Sequence, residues 1–280
     1  MDIKKHVAGP YAVAGDFPIK VEPENIGLIL LGTFGVAAAP QQQGETTAYQ
    51  HDFTPIAEDS DLDSFTIGYG LKNLNEQRFA GCKIKKLTLR CEAGDILLGT
   101  ISIVGKTESL ETIQIPTFST LVPFKWSQVT FTRSSPSTIK PVAFDFNYEN
   151  IFDEGDYRLT NSRFIETLEL LSRKITGLID LKFANTDDLK KFYGSGSATS
   201  PQDELASVDL NCKFEGPVAD DPYKYTLELD IPKVVYDLAN VDVNLRDRLI
   251  QGIEWTAVYD AVSGYVAKAS LINKVSTQYS

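Results

Sequence analysis

The stretch that decides the fold runs from Phe79 to Lys106 and reads FAGCKIKKLTLRCEAGDILLGTISIVGK. Apolar Leu87, Leu89 and Cys91 alternate with polar residues, which is typical of a β-strand with one buried face. The segment 92–95 (EAGD) has the composition of a turn, and the β-branched run 97–104 predicts a second strand. Together they predict a β-hairpin. A hairpin alone is marginally stable in water, so further strands must pair with it.

The same alternation recurs along the chain and predicts an all-β protein. Phe144, Phe146 and Tyr148 fall on one face of a predicted strand, and we interpret this aromatic stripe as core. Four more strands are predicted near the C-terminus, at 207–214, 223–231, 253–259 and 265–272. Residues 242–251 fit either a short helix or a strand. The fold class predicted from these patterns is all-β with one short helix.

Residues 185–194 (NTDDLKKFYG) predict that helix. Thr186 is placed as the N-cap, and the helix dipole favours the negative charges of Asp187 and Asp188 in the first turn. The helical spacing puts Leu189, Phe192 and Tyr193 on its buried face. The apolar run 26–39 (IGLILLGTFGVAAA) contains three glycines and is shorter than the ~20 residues that span a bilayer. It predicts either a buried segment or a docking arm.

A weak internal repeat indicates two related modules. The spacing of Leu87, Leu89 and Leu97 is the same as that of Leu168, Leu170 and Leu178, which predicts a second hairpin at 164–183. Proline and glycine positions before residue 25 predict an irregular N-terminal arm. We therefore divide the chain into an arm with the apolar segment (1–44), a first module (45–132) and a second module (133–280).

The charge balance excludes some classes of partner. Lys and Arg number 27 against 38 Asp and Glu, which gives a net charge of −11. Tight binding to DNA or to an anionic membrane requires an excess of cations, so neither is predicted. The cysteines, Cys82, Cys91 and Cys212, show no metal-binding or redox spacing and are interpreted as reduced thiols.

Candidate catalytic or metal-binding residues are few. His6 and His51 have no convincing partner at metal-ligand spacing. Asp59, Asp61 and Asp63 alternate, which fits either a calcium loop or a solvated acidic loop. The missing turn glycine and distal glutamate favour the acidic loop. The sequence contains no phosphate-binding loop and no nucleophile elbow, so we predict no enzyme, no metal and no cofactor.

Several short motifs, in order, carry a family resemblance. They are Pro23-Glu24-Asn25-Ile26-Gly27-Leu28, His51-Asp52-Phe53-Thr54-Pro55, Phe79-Ala80-Gly81-Cys82-Lys83-Ile84, Lys86-Leu87-Thr88-Leu89, Gly94-Asp95, Val104-Gly105-Lys106, Leu229-Asp230-Ile231-Pro232-Lys233-Val234 and the closing pattern 257–273. With these motifs the chain resembles the major tail tube proteins of long-tailed phages and related viruses. The resemblance covers most of the chain.

The resemblance implies a tail-tube-type β-barrel or sandwich whose copies form rings that stack into a tube. It implies a virion protein, assembled in the host cytoplasm, whose channel passes DNA without specific binding. Tape-measure and tail-tip or terminator proteins are the other implied partners, and no membrane is implied. The ring is either a trimer of two-module chains with pseudo-sixfold symmetry or a hexamer. Residues 41–64 and 108–122 are the predicted inter-ring arms.

The candidate contacts between subunits or rings are charged residues, namely Asp59, Asp61, Asp63, Lys85, Lys86 and Arg90. The basic members face either a neighbour's acidic loop or DNA. The alternative function is a non-enzymatic β-sandwich binding module, tail-tip or adhesin-like, that recognises a glycan or a protein.

Overall fold

The computed structural model describes residues 7–72, 74–116, 119–134, 138–160, 162–242 and 249–280. The described residues form sixteen strands, two α-helices and one 3₁₀ turn. In chain order the elements are β1 (Val13–Lys20), α1 (Ile26–Phe34), β2 (Gly35–Ala37), β3 (Gln41–Gln42), β4 (Tyr49–Pro55), β5 (Phe65–Leu71), β6 (Asn75–Glu92), β7 (Leu98–Gly105), β8 (Thr107–Glu111), the 3₁₀ turn (Trp126–Gln128), β9 (Val129–Thr132), β10 (Thr138–Ile139), β11 (Pro141–Phe152), β12 (Leu170–Lys182), α2 (Asp187–Phe192), β13 (Ser207–Asp220), β14 (Tyr223–Asp242), β15 (Ile250–Ala257) and β16 (Lys268–Asn273).

The predicted hairpin is confirmed as β6 and β7. The two strands pair antiparallel from Lys83↔Val104 to Arg90↔Leu98, with an irregularity in register at Lys85. Leu87 and Leu89 are fully buried, as the alternation predicts. Gly94 in the connecting turn has a φ of 104°, a conformation that glycine adopts without a steric penalty.

Sheet pairing connects all sixteen strands. The longest path runs β1-β7-β6-β11-β12-β15-β14-β13-β9-β10. Strand β14 takes part in two layers, because its C-terminal half pairs with β15 while its N-terminal half pairs with β16, which continues to β4. We call β1, β7, β6, β11, β12, β15 and the C-terminal half of β14 the main sheet. The all-β prediction is confirmed.

The main hydrophobic core lies between the two layers. It contains the predicted aromatic stripe of β11, and Phe146 packs near Trp255 of β15 with ring centroids 6.4 Å apart. The N-terminal half of β14 contributes Leu227, Leu229 and Ile231. A smaller cluster at one end of the main sheet contains Leu62, Val104, Phe152, Ile165 and Leu168. The four predicted C-terminal strands are present as β13 to β16, so this part of the sequence prediction is confirmed.

Helix α1 was not predicted as a helix, although its burial was one of the two alternatives. Seven of its nine residues are buried, so it lacks the polar face that gives an amphipathic helix its periodic pattern. Gly35, with a φ of 96°, ends it and donates its backbone N–H to the Leu31 carbonyl. Asn150 of β11 donates to the Thr33 carbonyl at 3.0 Å and to the Ile84 carbonyl at 3.1 Å, which fixes the end of the helix to the main sheet.

The predicted helix near residue 190 is present as α2. It follows Thr186 at the N-cap position, although no side-chain capping bond forms there. The predicted face is only half-buried: Phe192 packs against the main core, but the buried residue of the helix is Asp188, which the prediction did not include. Asp188 forms a buried ion pair with Arg133. The helix is therefore anchored by a charge pair that joins distant segments.

Two other predictions about the main sheet are wrong. Residues 164–183 do not form a second hairpin, because β12 is one strand that pairs with β11 on one side and β15 on the other. The Ser172-Arg173-Lys174 segment continues that strand instead of turning. Residues 13–20, placed in the irregular arm, form β1, which pairs with β7 over its whole length.

The two predicted inter-ring arms differ in how much of each lies inside the fold, and their contact with another ring stays a prediction. Much of 41–64 lies inside the fold, because β4 pairs with β16 and Phe53 is fully buried. In the segment 108–122, β8 pairs with the first part of β6 and the following residues are irregular. Strands of the two predicted modules pair directly with each other: β6 pairs with β11, and β4 pairs with β16. The division of the chain into modules at 44/45 and 132/133 stays a prediction.

Parts of some predictions lie outside the described residues, namely 1–6 of the N-terminal arm, 117–118 of the second inter-ring arm and 243–248 of the ambiguous segment 242–251. Of the helices that the structure describes, neither has the length and apolar character needed to cross a membrane.

Candidate assembly surfaces

The main sheet has one face on the core and one face directed away from it. We call the second surface the polar face, because polar side chains predominate there and are half-buried or exposed. The alternation of each strand produces it: when Leu87, Leu89 and Phe146 face the core, their neighbours must face the opposite side. Antiparallel pairing then aligns these neighbours in rows across the strands.

The central row of the polar face is uncharged. Thr88 of β6 lies between Thr100 of β7 and Asn147 of β11, and the row continues to Thr176 of β12 and Thr256 of β15. The Thr88 hydroxyl donates to the Asn147 side-chain oxygen at 2.8 Å. This row presents hydroxyl and amide groups without charge across five adjacent strands.

Rows that contain charged residues flank the neutral row on both sides. On one side Lys86 of β6 lies opposite Glu149 of β11, which lies opposite Lys174 of β12. On the other side Arg90 lies opposite Asp145. In these rows Lys86, Lys174 and Arg90 each have a carboxylate as a cross-strand neighbour, so the rows carry little local excess of positive charge.

The Arg90 side chain is the centre of a small ionic network. It donates to the Glu92 carboxylate, and its Nε lies 3.6 Å from Asp145 Oδ1. Burial raises the pKa of Asp145, although Arg90 opposes this shift. Burial also raises the pKa of Asp180 in β12, and the charge of Asp145 adds to that shift. Asp145 and Asp180 therefore lie in a region of the polar face that is partly shielded from water.

A three-stranded projection extends from one end of the main sheet. The first residues of β6 leave the main sheet and pair with β5 on one side and β8 on the other. We call β5, β8 and residues 75–80 the arm. Its exposed apolar side chains include Tyr69, Leu71 and Leu110. Glu76 lies near the far end of the arm, where it accepts hydrogen bonds from Arg78 and from the Gln114 backbone N–H.

The structure places the predicted acidic residues at the same end as the arm. Asp61 pairs with the buried Lys83, while Asp59 and Asp63 are exposed. Leu62 between them packs in the smaller core cluster and fixes the loop. Within the described ranges, no three His, Cys, Asp or Glu side chains are placed where they could hold a metal ion.

The predicted basic residues do not form one surface. Lys85 pairs with Glu154 of the same chain at 2.7 Å, near the acidic loop. Lys86 and Arg90 lie on the polar face in different rows. The sequence prediction missed Lys83, and it missed the polar partners on β11 and β12. The alternation of polar and apolar residues in β11 and β12 could be read from the sequence, but the order of the strands in the sheet could not.

His51 is structural. Its side chain is fully buried, and its Nε2 lies 2.9 Å from the Val275 carbonyl. Burial lowers the pKa of His51, which keeps the ring neutral in the core.

The comparisons with known proteins agree with this architecture. No curated protein matches the chain. The sequence model described as "Phage tail tube protein" matches residues 1–257, which is most of the chain. It covers β1 to β15 and therefore the whole polar face and the arm. The all-β chain thus belongs to the phage tail tube protein family and is a structural component of the virion tail.

Proposed function

We propose that this tail tube protein self-assembles into closed rings that stack into a conduit for viral DNA, with the polar face lining the channel. The observation that carries the proposal is the continuity of the polar face across seven adjacent strands. The role is structural, and it requires neither a catalytic group nor a cofactor. Assembly in the host cytoplasm and contact with tape-measure and tail-tip or terminator proteins belong to the same proposal.

The charges of the polar face suit a surface along which DNA slides. A protein holds DNA tightly when unpaired Lys and Arg replace the counterions of the phosphates. Here Arg90 is engaged by Glu92 and Asp145, and Lys86 has Glu149 as its cross-strand neighbour. The central row of hydroxyl and amide groups adds no charge. DNA would therefore pass without being bound at any one position.

The open edges of the main sheet support ring closure. Among the described residues, β1 pairs only with β7, and β14 beyond Val235 pairs only with β15. Exposed strand edges are templates for pairing with another chain, and closing a sheet into a barrel removes them. We propose that β1 of one subunit pairs with residues 236–242 of the next.

The number of strands favours a trimeric ring over a hexamer. Seven strands at about 4.8 Å spacing span roughly 34 Å across the sheet. Three subunits would contribute 21 strands, and barrels of 16–18 strands already leave an open aqueous channel. A hexamer would double the strand count beyond what an open channel requires.

Crosslinking combined with electron microscopy tests the proposal. Lys20→Cys and Asn240→Cys introduce exposed thiols on the two open edges, whereas the native cysteines are buried. A bismaleimide should crosslink the double variant into a ladder that ends at the trimer, and each single variant should give no ladder. Negative-stain images of the wild-type chain should show rings and tubes. A ladder ending at six would establish the hexamer, and persistent monomers even with a tail-tip nucleus would contradict self-assembly.

One cleft favours the second candidate, a glycan- or protein-binding module. It has a volume of about 940 Å³ and is lined by Glu58, Arg173 and Tyr259, among others. An exposed aromatic ring beside charged groups is a feature of such sites. A glycan array would decide: specific hits abolished by Tyr259→Ala would support a binding module, and an array without hits would remove it.

A further inference from the structure

The cleft of about 940 Å³ lies where three segments of the chain meet. Its walls are formed by residues 54–58 at the end of β4 and beyond it, by residues 170–173 at the start of β12, and by residues 259 and 264–266 between β15 and β16. Ligand sites in proteins have volumes of roughly 300–1,000 Å³. The cleft is therefore large enough for a small molecule or for a short stretch of peptide.

Arg173 is the one cation among the described residues that line the cleft. Its side chain is half-buried, and its Nη2 donates to the Ile56 carbonyl at 2.5 Å. Within the described part of the chain it forms no ion pair. A guanidinium group has five N–H donors, and a cation that is partly removed from water is unfavourable without a counter-ion. An anion that entered the cleft would supply that counter-ion.

Two ionisable side chains in this region do not neutralise Arg173. Glu58 also lines the cleft, but it is exposed and forms no ion pair with Arg173 in the described structure. Tyr148 pairs with Ile175, two residues along the same strand face from Arg173, and its buried hydroxyl has no hydrogen-bond partner among the described residues. Burial raises the pKa of Tyr148 to about 12, although the charge of Arg173 opposes this shift, so the phenol stays neutral.

Much of the remaining lining is aliphatic. The aliphatic side chains beside Arg173 are Pro55, Ile56, Leu170, Leu171 and Val266. Leu171 is 64% exposed, so a ligand that covers it would remove apolar surface from water. The cleft thus offers one cation next to an apolar wall. This combination fits a ligand that carries a carboxylate directly beside an apolar group.

Hydrogen bonds hold the walls of the cleft in place. The Ile56 N–H donates to the Phe34 carbonyl at 2.7 Å, and the bond from Arg173 to Ile56 joins β12 to the segment that follows β4. On the third wall the Tyr265 hydroxyl donates to Asp230 at 2.6 Å. A site that is already ordered loses less conformational entropy when a ligand binds.

We propose that Arg173 binds a carboxylate of a partner peptide, and that the aliphatic wall packs against an apolar side chain next to that carboxylate. An aliphatic residue at a free C-terminus carries both groups on one α-carbon, and arginine binds carboxylates through paired hydrogen bonds. An acidic side chain beside an aliphatic residue offers the same chemistry from a second source. The site rests on the cleft of the second candidate function, to which it gives a ligand class, and it does not depend on ring assembly.

Isothermal titration calorimetry on the full chain tests the site with three acetylated tripeptides. The first ends in leucine with a free carboxylate, the second is its C-terminal amide, and the third is an amide with aspartate beside leucine. The first should bind about tenfold more tightly than the second, because the amide lacks the charge that Arg173 recognises. Binding of the third as tightly as the first would support the site with an acidic side chain as the source of the carboxylate.

Variants connect the binding to Arg173. Arg173→Gln removes the charge but keeps a donor for the Ile56 carbonyl, and it should weaken binding of the first peptide about tenfold. The matched control is Arg158→Gln, since Arg158 is exposed, pairs with Asp156 and lies outside the lining of the cleft. It should bind as the wild type does. Circular dichroism and the thermal midpoint report whether each variant folds.

A second pair of variants leaves Arg173 intact. Leu171→Asp places a carboxylate on the exposed wall of the cleft, whereas Leu171→Asn changes the same position without a charge. The aspartate variant should bind the first peptide more weakly than the asparagine variant, because like charges repel. Equal affinity of these two variants would contradict recognition of a carboxylate.

Other outcomes would also overturn the inference. They are equal affinity of the wild type for the free acid and the amide, wild-type affinity in Arg173→Gln, and no binding of any tripeptide. Binding of glucuronic acid without binding of a tripeptide would overturn the peptide as ligand and favour a glycan. Because the titrations require no ring, a chain that binds the peptide but forms no rings would contradict the proposed conduit alone.

Discussion

The two faces of the main sheet are made by the same strands but have different consequences. On β11, Phe146 faces the core and is fully buried, while the adjacent Asn147 lies on the polar face. Burial of side chains on the core face determines whether the chain folds. The polar face contributes little to folding, so its residues can be suited to contacts in an assembly without loss of subunit stability. Substitutions on the core face should therefore unfold the subunit, and substitutions on the polar face should leave it folded.

The largest expected difference in the free energy of unfolding is between substitutions at Phe146 and at its neighbour Asn147. Phe146→Ala should reduce the free energy of unfolding by about 3–5 kcal/mol, because it leaves a cavity next to Trp255. Asn147→Ala removes one hydrogen bond with Thr88 and should cost about 1 kcal/mol. Urea denaturation of the unassembled chain measures both. Similar losses for the two variants would show that the polar face is also part of the folding core.

Two glycines on opposite faces provide a second contrast. A Cβ at Gly177 would overlap with the Asp145 backbone oxygen and the Trp255 ring, so Gly177→Ala should cost about 1–3 kcal/mol through overpacking. At Gly252, on the polar face, the nearest atom to a new Cβ is Asp180 Oδ1 at 3.4 Å. Gly252→Ala should change stability by less than about 0.5 kcal/mol. If the thermal midpoints of both variants fell equally, the assignment of Gly252 to the open face would be wrong.

The smallest expected effect is the pH dependence of stability at Asp145. Because burial raises the pKa of Asp145, its charged form destabilises the folded state at pH 7, and this penalty disappears as the pH falls below the ordinary value for aspartate. Asp145→Asn should therefore be more stable than the wild type at pH 7, and the difference should shrink toward pH 4. Denaturation midpoints measured across this range test the sign.

Asp156 serves as the control of opposite sign. Hydrogen bonds from Arg158 and Thr167 lower the pKa of Asp156, so its charged form stabilises the fold above the ordinary value. Asp156→Asn should be less stable than the wild type at pH 7, and that deficit should also shrink as the pH falls. The same sign for both variants would contradict the different environments assigned to the two carboxylates.

The core face was predictable from the sequence because alternation is a local property. Leu87, Leu89 and the stripe around Phe146 were assigned correctly for this reason. Helix α1 was missed because a helix that is apolar all round has no periodic pattern. The false hairpin at 164–183 arose from matching leucines where turn residues were lacking, since Ser172-Arg173-Lys174 contains neither glycine nor proline.

The assembly surfaces were less predictable because they depend on strand order. Thr88 and Asn147 are far apart in sequence, and only the pairing of β6 with β11 puts them in one row. The same is true of the network around Arg90, whose partner Asp145 lies on a different strand. Of the charged residues predicted as contacts, Lys85, Asp61 and Arg90 already have partners in their own chain. The surfaces that can still contact another subunit are formed by residues that only the order of the strands brings together.

An electron cryo-microscopy reconstruction of the assembled tube tests the central claim most directly. We predict that the channel wall is formed by the main sheet, with the neutral row of Thr88, Asn147 and Thr176 facing the lumen and β1 paired to the neighbouring β14. A reconstruction in which this row faces the outside of the tube, or in which other strands form the channel wall, would contradict it.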